Sequence, residues 1–240
     1  MARPRLLLVP TATEVEWKIK PLLEEWADVA SFDAPGVADE PEPGELGPEV
    51  IAARGVEEIE KRGWDRCVVV GDEVGAASAV HVAGQAPERI AGLALGHAAL
   101  SFVRSGPRAA INGEVTEGLA QVARTDYRSF VRALSQATQG AYDEDFVQQY
   151  MERVPQDYSS RWIDTLLLRA ESEDLEPILR SVDAPMLLVE HHDCLMWTRE
   201  GFEDAAAALP DATTASMVLK PSVSPEFAEL LREFCEPIFA

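Results

Sequence analysis

A chain of 240 residues has room for one large α/β domain, or for a core with a modest insert. Its 47% hydrophobic content and mean hydropathy of −0.09 are those of a globular protein. A formal net charge of −21 and a pI near 4.5 argue against nucleic acid and anionic membrane as partners, because both would repel such a surface.

In chain order, Arg5 to Val9 reads as a short buried strand. Thr13 can cap a helix over Glu14 to Trp26, with Leu22, Leu23 and Trp26 on its apolar face. Val29 to Phe32 is a second strand, followed by the acidic, Pro- and Gly-rich connector ADEPEPGELGPE. Pro48 opens a helix that Gly63 ends. Cys67 to Val70 is the third strand, a small-residue helix runs from Gly75 to about Pro87, and Ile90 to Leu95 is the fourth strand. Short apolar runs alternating with helices predict a doubly wound, mainly parallel sheet with both faces covered.

After His97 the rhythm changes. Residues 104–180 show helical periodicity and no strand, as in Val115 to Ala123, Tyr127 to Ala137, Asp143 to Val154 and Ser160 to Ala170. Strands then return at Ala184 to Val189 and Thr213 to Leu219, with helices at Arg199 to Leu209 and Pro225 to Phe239. The expected organisation is a core of residues 1–103 and 181–240 carrying a helical cap, or lid, over 104–180. The first residues form a strand and not a signal peptide, and no apolar stretch reaches the ~18 residues of a membrane span. Cys67, Cys194 and Cys235 are scattered without disulfide or metal spacing, which suits a reducing cytoplasm.

The stretch Gly71-Asp72-Glu73-Val74-Gly75 joins the third strand to its helix with the spacing of a nucleophile elbow, G-x-S-x-G, but places Glu where the nucleophilic Ser would stand. With six strands, this elbow after the third and the helical insert after the fourth, nearly the whole chain resembles the α/β-hydrolase superfamily. SFDAPGVADEP is similar to that family's segment ahead of the elbow, VDAPMLLVEHHDCL to the one carrying the triad acid, and PEFAELLREFCEP to its closing helix. The resemblance implies an α/β-hydrolase fold, puts Asp193 at the acid position, and gives the oxyanion role to the backbone of Val74 and of the Thr11-Ala12 loop.

The chain departs from that pattern in three places. Glu73 replaces Ser. Pro10-Thr11 replaces the His-Gly after the first strand. Lys220-Pro221-Ser222-Val223-Ser224, where the catalytic His should lie, holds no His. Without Ser and His the chain is not an ordinary serine hydrolase. Three roles are open to Glu73: carboxylate nucleophile, as in family members with Asp at the elbow; general acid or base; or an inert side chain that fills the oxyanion hole. Asp72 reads as a turn residue.

His97, just past the fourth strand at the carboxyl edge of the sheet, and His192, beside Asp193, are the histidines placed to assist Glu73. His81 reads as a core histidine. Adjacent His191 and His192 point apart and show no spaced third ligand, so no metal is expected, and no fingerprint for a nucleotide or other cofactor is present. Trp17, Phe130, Tyr158, Trp162 and Trp197 are candidate walls of an apolar pocket. The expected activity is hydrolysis, elimination or isomerisation of a small, largely apolar substrate. The alternative is a catalytically inactive protein of the same fold that binds a small ligand or partner. A homodimer is compatible with either.

Overall fold

A computed structural model of the protein describes residues 3–11, 17–102, 110–139, 142–169, 173–192 and 194–240. Six strands, β1 (Arg5–Val9), β2 (Asp28–Ser31), β3 (Cys67–Asp72), β4 (Ile90–Gly96), β5 (Met186–His191) and β6 (Thr213–Met217), form one sheet in the order β2-β1-β3-β4-β5-β6. Every neighbouring pair is parallel. The chain leaves β1 to one side for β2 and to the other for β3, so the sheet is doubly wound and its crevice opens at the carboxyl ends of β1 and β3.

Alternation along the strands builds two cores. Leu7, Val9, Val69, Leu93, Leu95 and Leu188 face α2 (Pro48–Lys61) and α3 (Val74–Gln85), with α8 (Glu176–Ser181) and α9 (Arg199–Ala208) in the same cluster. The intervening Leu6, Leu8, Val68, Val70, Leu187 and Val189 face α1 (Lys20–Glu24) and α10 (Pro225–Phe239). Because both faces are covered, the strands read as continuous apolar runs.

Between β4 and β5 lie α4 (Gly113–Thr125), α5 (Tyr127–Gln139), α6 (Glu144–Arg153) and α7 (Gln156–Arg169). Asn112 and Asp143 cap α4 and α6 through their side chains. Their apolar faces join the α2/α3 core, and Tyr150, Phe130, Tyr127 and Phe146 form an aromatic cluster among them. The connector after β2 is tied to these helices, since Arg153 pairs with Asp33 and its carbonyl accepts from the Ala38 N–H at 2.8 Å.

The first helix differs most from expectation. It is the five-residue α1, with Pro21 in its first turn. Proline has no N–H to give and is best accommodated in the first turn of a helix. Thr13 and residues 14–16, expected as its cap and first turn, lie outside the described residues. β6 stops at Met217, two residues short of the expected end, and Val218 and Leu219 are exposed.

The turn after β3 depends on close backbone approach. A Cβ on Gly71 would sit 2.3 Å from the Gly75 carbonyl oxygen, a contact with backbone that no rotamer change relieves. Gly71→Ala is therefore expected to lower stability by about 3 kcal/mol. Urea unfolding reads this as a reduced midpoint, and an unchanged midpoint would contradict the close approach.

Candidate active site

The site is assembled from the carboxyl ends of neighbouring strands. β3 ends at Asp72, and Glu73 follows in a left-handed conformation with φ 52° and ψ −122°. β4 ends at Gly96, and His97 follows with φ 51°. Such backbone in a non-glycine residue costs about 1–3 kcal/mol and persists only when its surroundings hold it. Here the strand ladder holds both: Glu73 N–H donates to the Gly96 carbonyl at 3.2 Å and His97 N–H to the Val189 carbonyl at 2.8 Å.

Asp72 lies opposite Gly96 in the parallel register and is fully buried. A Cβ at Gly96 would come within 2.4 Å of Asp72 Oδ1, so the glycine leaves the space that the carboxylate fills. That oxygen is 2.9 Å from His97 Nδ1. Burial by itself pushes the Asp72 carboxyl up. The His97 hydrogen bond, with the charges of His97, Lys220 and His191, more than reverses this, and Asp72 stays below the ordinary carboxylate range. Burial opposes protonation of His97, but the Cys194 charge, the bond to Asp72 and the contact with the Cys194 sulfur raise its pKa to about 10.

Glu73 is buried and forms an ion pair with the equally buried Lys220, with Nζ to Oε2 3.4 Å. Its other oxygen is 3.9 Å from Cys194 Sγ. Lys220 follows β6 and precedes α10. Cys194 is placed by a pinned loop. Leu195 N–H donates to the Ala137 carbonyl of α5, and Ile111 and Trp197 form a short antiparallel bridge flanked by Asn112 N–H to Met196 O and Thr198 N–H to Ala110 O.

His191 ends β5, and His192 follows it in the turn. His191 is buried, with its ring centroid 5.2 Å from that of His97. His192 is exposed, and its Nδ1 is 3.7 Å from the Glu190 carboxylate. His97, His191, His192, Cys194 and Trp197 line one cavity of about 160 Å³, with Ala98, Ala99, Ala110 and Phe202 as apolar wall and Glu190 and Arg199 as polar groups. That volume is below the ~300–1,000 Å³ typical of drug-sized sites, so it suits a small ligand.

The cavity brings together His97, His192 and Trp197; Glu73 is not among its lining residues and approaches it through Cys194, while Asp193 and Ala12 lie outside the described residues. Thr11 is buried beside the elbow strand, and Val74 opens α3. Phe130, Tyr158 and Trp162 are packed in the core shared by the inserted helices, and Tyr158 lies against Gly36. Trp17 belongs to the α1/α10 face. None of these four lines the cavity beside His97. Asp72, read from the sequence as a turn residue, is instead the partner of His97. Lys220, Cys194 and His191 were also not singled out. The signal for Lys220 was its place at the start of the segment in which the resemblance led one to expect a histidine. His81, half-buried on α3, is bound to Glu173 Oε1 at 2.9 Å.

No family model matches the chain, and no curated protein matches it. Solved structures do. A hydrolase from Oleispira antarctica superposes with a TM-score of 0.79 at 15% identity, covering 98% of this chain and 91% of that one. A bromoperoxidase from Bacillus anthracis gives 0.78 at 15% identity over 98% and 92%. The enol-lactonase from Burkholderia xenovorans gives 0.75 at 18% identity over 99% and 92%. The chain has the α/β-hydrolase fold. At these identities the likeness is one of fold. Among the described residues no helix is long and apolar enough to cross a membrane.

The Asp72–His97 pair makes stability depend on pH with a definite sign. The folded pKa of His97 lies above its ordinary value near 6.5, so its contribution is complete below pH 6.5 and is lost as pH rises through about 10. The Asp72 contribution runs the other way and is lost as pH falls below the ordinary carboxylate range. NMR titration of the His97 ring should show a midpoint near 10, and Asp72→Asn should bring it down. A midpoint near 6.5 in the unsubstituted protein would contradict the pairing.

Proposed function

We propose that the protein is a hydrolase-type enzyme acting on a small, largely apolar substrate by acid/base chemistry centred on Glu73. The observation that carries this reading is the buried Glu73–Lys220 pair at 3.4 Å. By the resemblance read from the sequence, Glu73 corresponds to the nucleophile of a serine hydrolase of this fold and Lys220 lies in the segment expected to carry its histidine. The two departures read separately from the sequence compensate each other: a carboxylate replaces the hydroxyl and an ammonium replaces the imidazole.

In this reading Lys220 keeps the carboxylate ionised and stabilises negative charge that develops on the substrate. Glu73 accepts a proton from water or substrate and returns it to the leaving group. The cavity beside Cys194 holds the substrate, its alanine, Trp197 and Phe202 walls favouring an apolar body and Glu190 and Arg199 its polar end. Helices α4 to α7, between β4 and β5, act as the cap that keeps water out. The acidic surface and three buried thiols suit a reducing cytoplasm.

Glu73→Gln keeps the shape of the side chain and removes its proton-accepting charge. On a panel of short esters, lactones and epoxides it is expected to lower kcat by about 10²–10⁴, with circular dichroism unchanged. Single turnover in ¹⁸O-water leaves Glu73 unlabelled if the residue works as acid/base; label in Glu73 would show that it is the nucleophile of an ester intermediate instead.

A second reading is favoured by the same pair. A carboxylate and an ammonium this deeply buried can neutralise each other and leave a site that binds a small ligand without reacting. That reading expects no turnover on the panel and a ligand affinity that Glu73→Gln leaves unchanged. Loss of turnover in a folded Glu73→Gln protein rejects it.

A further inference from the structure

The cavity holds a cluster that acid/base chemistry at Glu73 does not use. One ring nitrogen of His97, one of His191 and the Cys194 sulfur all lie within 4.8 Å of one another, and all three residues are buried. We propose that His97, His191 and Cys194 form a binding site for one divalent transition-metal ion of the zinc type, with Asp72 fixing His97 from behind. The proposal concerns the same cavity as the proposed function but does not depend on its turning over substrate.

Four features of the site support it. The donors are two imidazoles and one thiolate, a set that suits zinc and its neighbours and not magnesium or calcium, which take oxygen. Three protein ligands facing a cavity leave a fourth position open, the arrangement of a zinc site that binds water or substrate. Asp72 engages His97 Nδ1 at 2.9 Å and leaves Nε2 for the ion. A carboxylate behind a ligating histidine fixes its tautomer and orientation and raises its basicity. The ligands also sit on rigid structure: His97 and His191 end neighbouring strands, and the pinned loop supplies Cys194.

Carboxylates surround the cluster as well: Asp72 bonds His97, Glu73 lies 3.9 Å from Cys194, and Glu190 stands in the cavity wall. Imidazole and thiolate ligands must be deprotonated to bind, so binding releases protons and weakens as pH falls. A bound ion of this kind lowers the pKa of a coordinated water toward neutrality.

The sequence argued against a metal because His191 and His192 point apart and no third ligand follows at a recognisable spacing. His191 does point inward, and its companions come from the end of β4 and from the loop after β5.

Titration of the metal-free full-length protein with cobalt(II) tests the site. The expected result is about one ion per chain, with the visible bands of a low-symmetry four-coordinate site and a near-ultraviolet sulfur-to-cobalt charge-transfer band, all displaced by zinc. Cys194→Ser should remove the charge-transfer band, His191→Gln should abolish tight binding, and Asp72→Asn should weaken it about 10–100-fold. His81→Gln, which disrupts the separate group of Glu49, His81 and Glu173, should change none of these.

Absence of the charge-transfer band, its persistence in Cys194→Ser, or its loss in His81→Gln would overturn the proposal. Because the readout is spectroscopic, metal binding without turnover removes the enzymatic reading alone, and turnover without metal binding removes this inference alone.

Discussion

The site rests on how tightly the chain turns after β3. Gly71 lets the strand end pass against the Gly75 carbonyl, and Glu73 takes a left-handed conformation to complete the turn. Any side chain at position 71 would push strand and helix apart, and Glu73 would lose its aim toward Lys220 and Cys194. The same tightness recurs next door, where Gly96 admits the Asp72 carboxylate between β3 and β4 and His97 turns left-handed to meet it. Two strained residues on adjacent strand ends are held by ladder hydrogen bonds from a core buried on both faces. The cost of about 1–3 kcal/mol for each is supported by the sheet as a whole.

Around these turns the protein buries an uncommon amount of charge. Asp72, Glu73, His97, His191 and Lys220 all have little exposure in one region. Isolated, each would be expensive to desolvate. They form linked pairs instead, Asp72 with His97 and Glu73 with Lys220, and Cys194 lies between the two. Removing one partner therefore disturbs the ionisation of the others.

Much of the architecture was legible in the primary structure because it follows from local rules. Apolar runs of strand length, Pro48 at a helix start and the glycine spacing after β3 each act within a few residues. α1 was misjudged by a local rule given too little weight, since Pro21 sets where that helix can begin. The candidate pocket aromatics show the opposite limit. Phe130, Tyr158 and Trp162 sit on helices whose apolar faces are also their packing faces, and periodicity cannot separate a residue that lines a cavity from one that fills a core.

By itself the sequence determined the doubly wound sheet, the elbow, the helical insert and the identity of Glu73 at the turn. Only the tertiary structure decided who pairs with whom. Asp72 was read as a turn residue because nothing nearby in the chain explains a buried carboxylate. Its partner, His97, lies 25 residues on, across the β3–β4 ladder. Glu73 meets Cys194 121 residues later, and Lys220 only after the last strand is laid down. Residue type and spacing encode local conformation. Electrostatic partnership depends on which strand ends the fold sets side by side, and strand order is a property of the whole sheet.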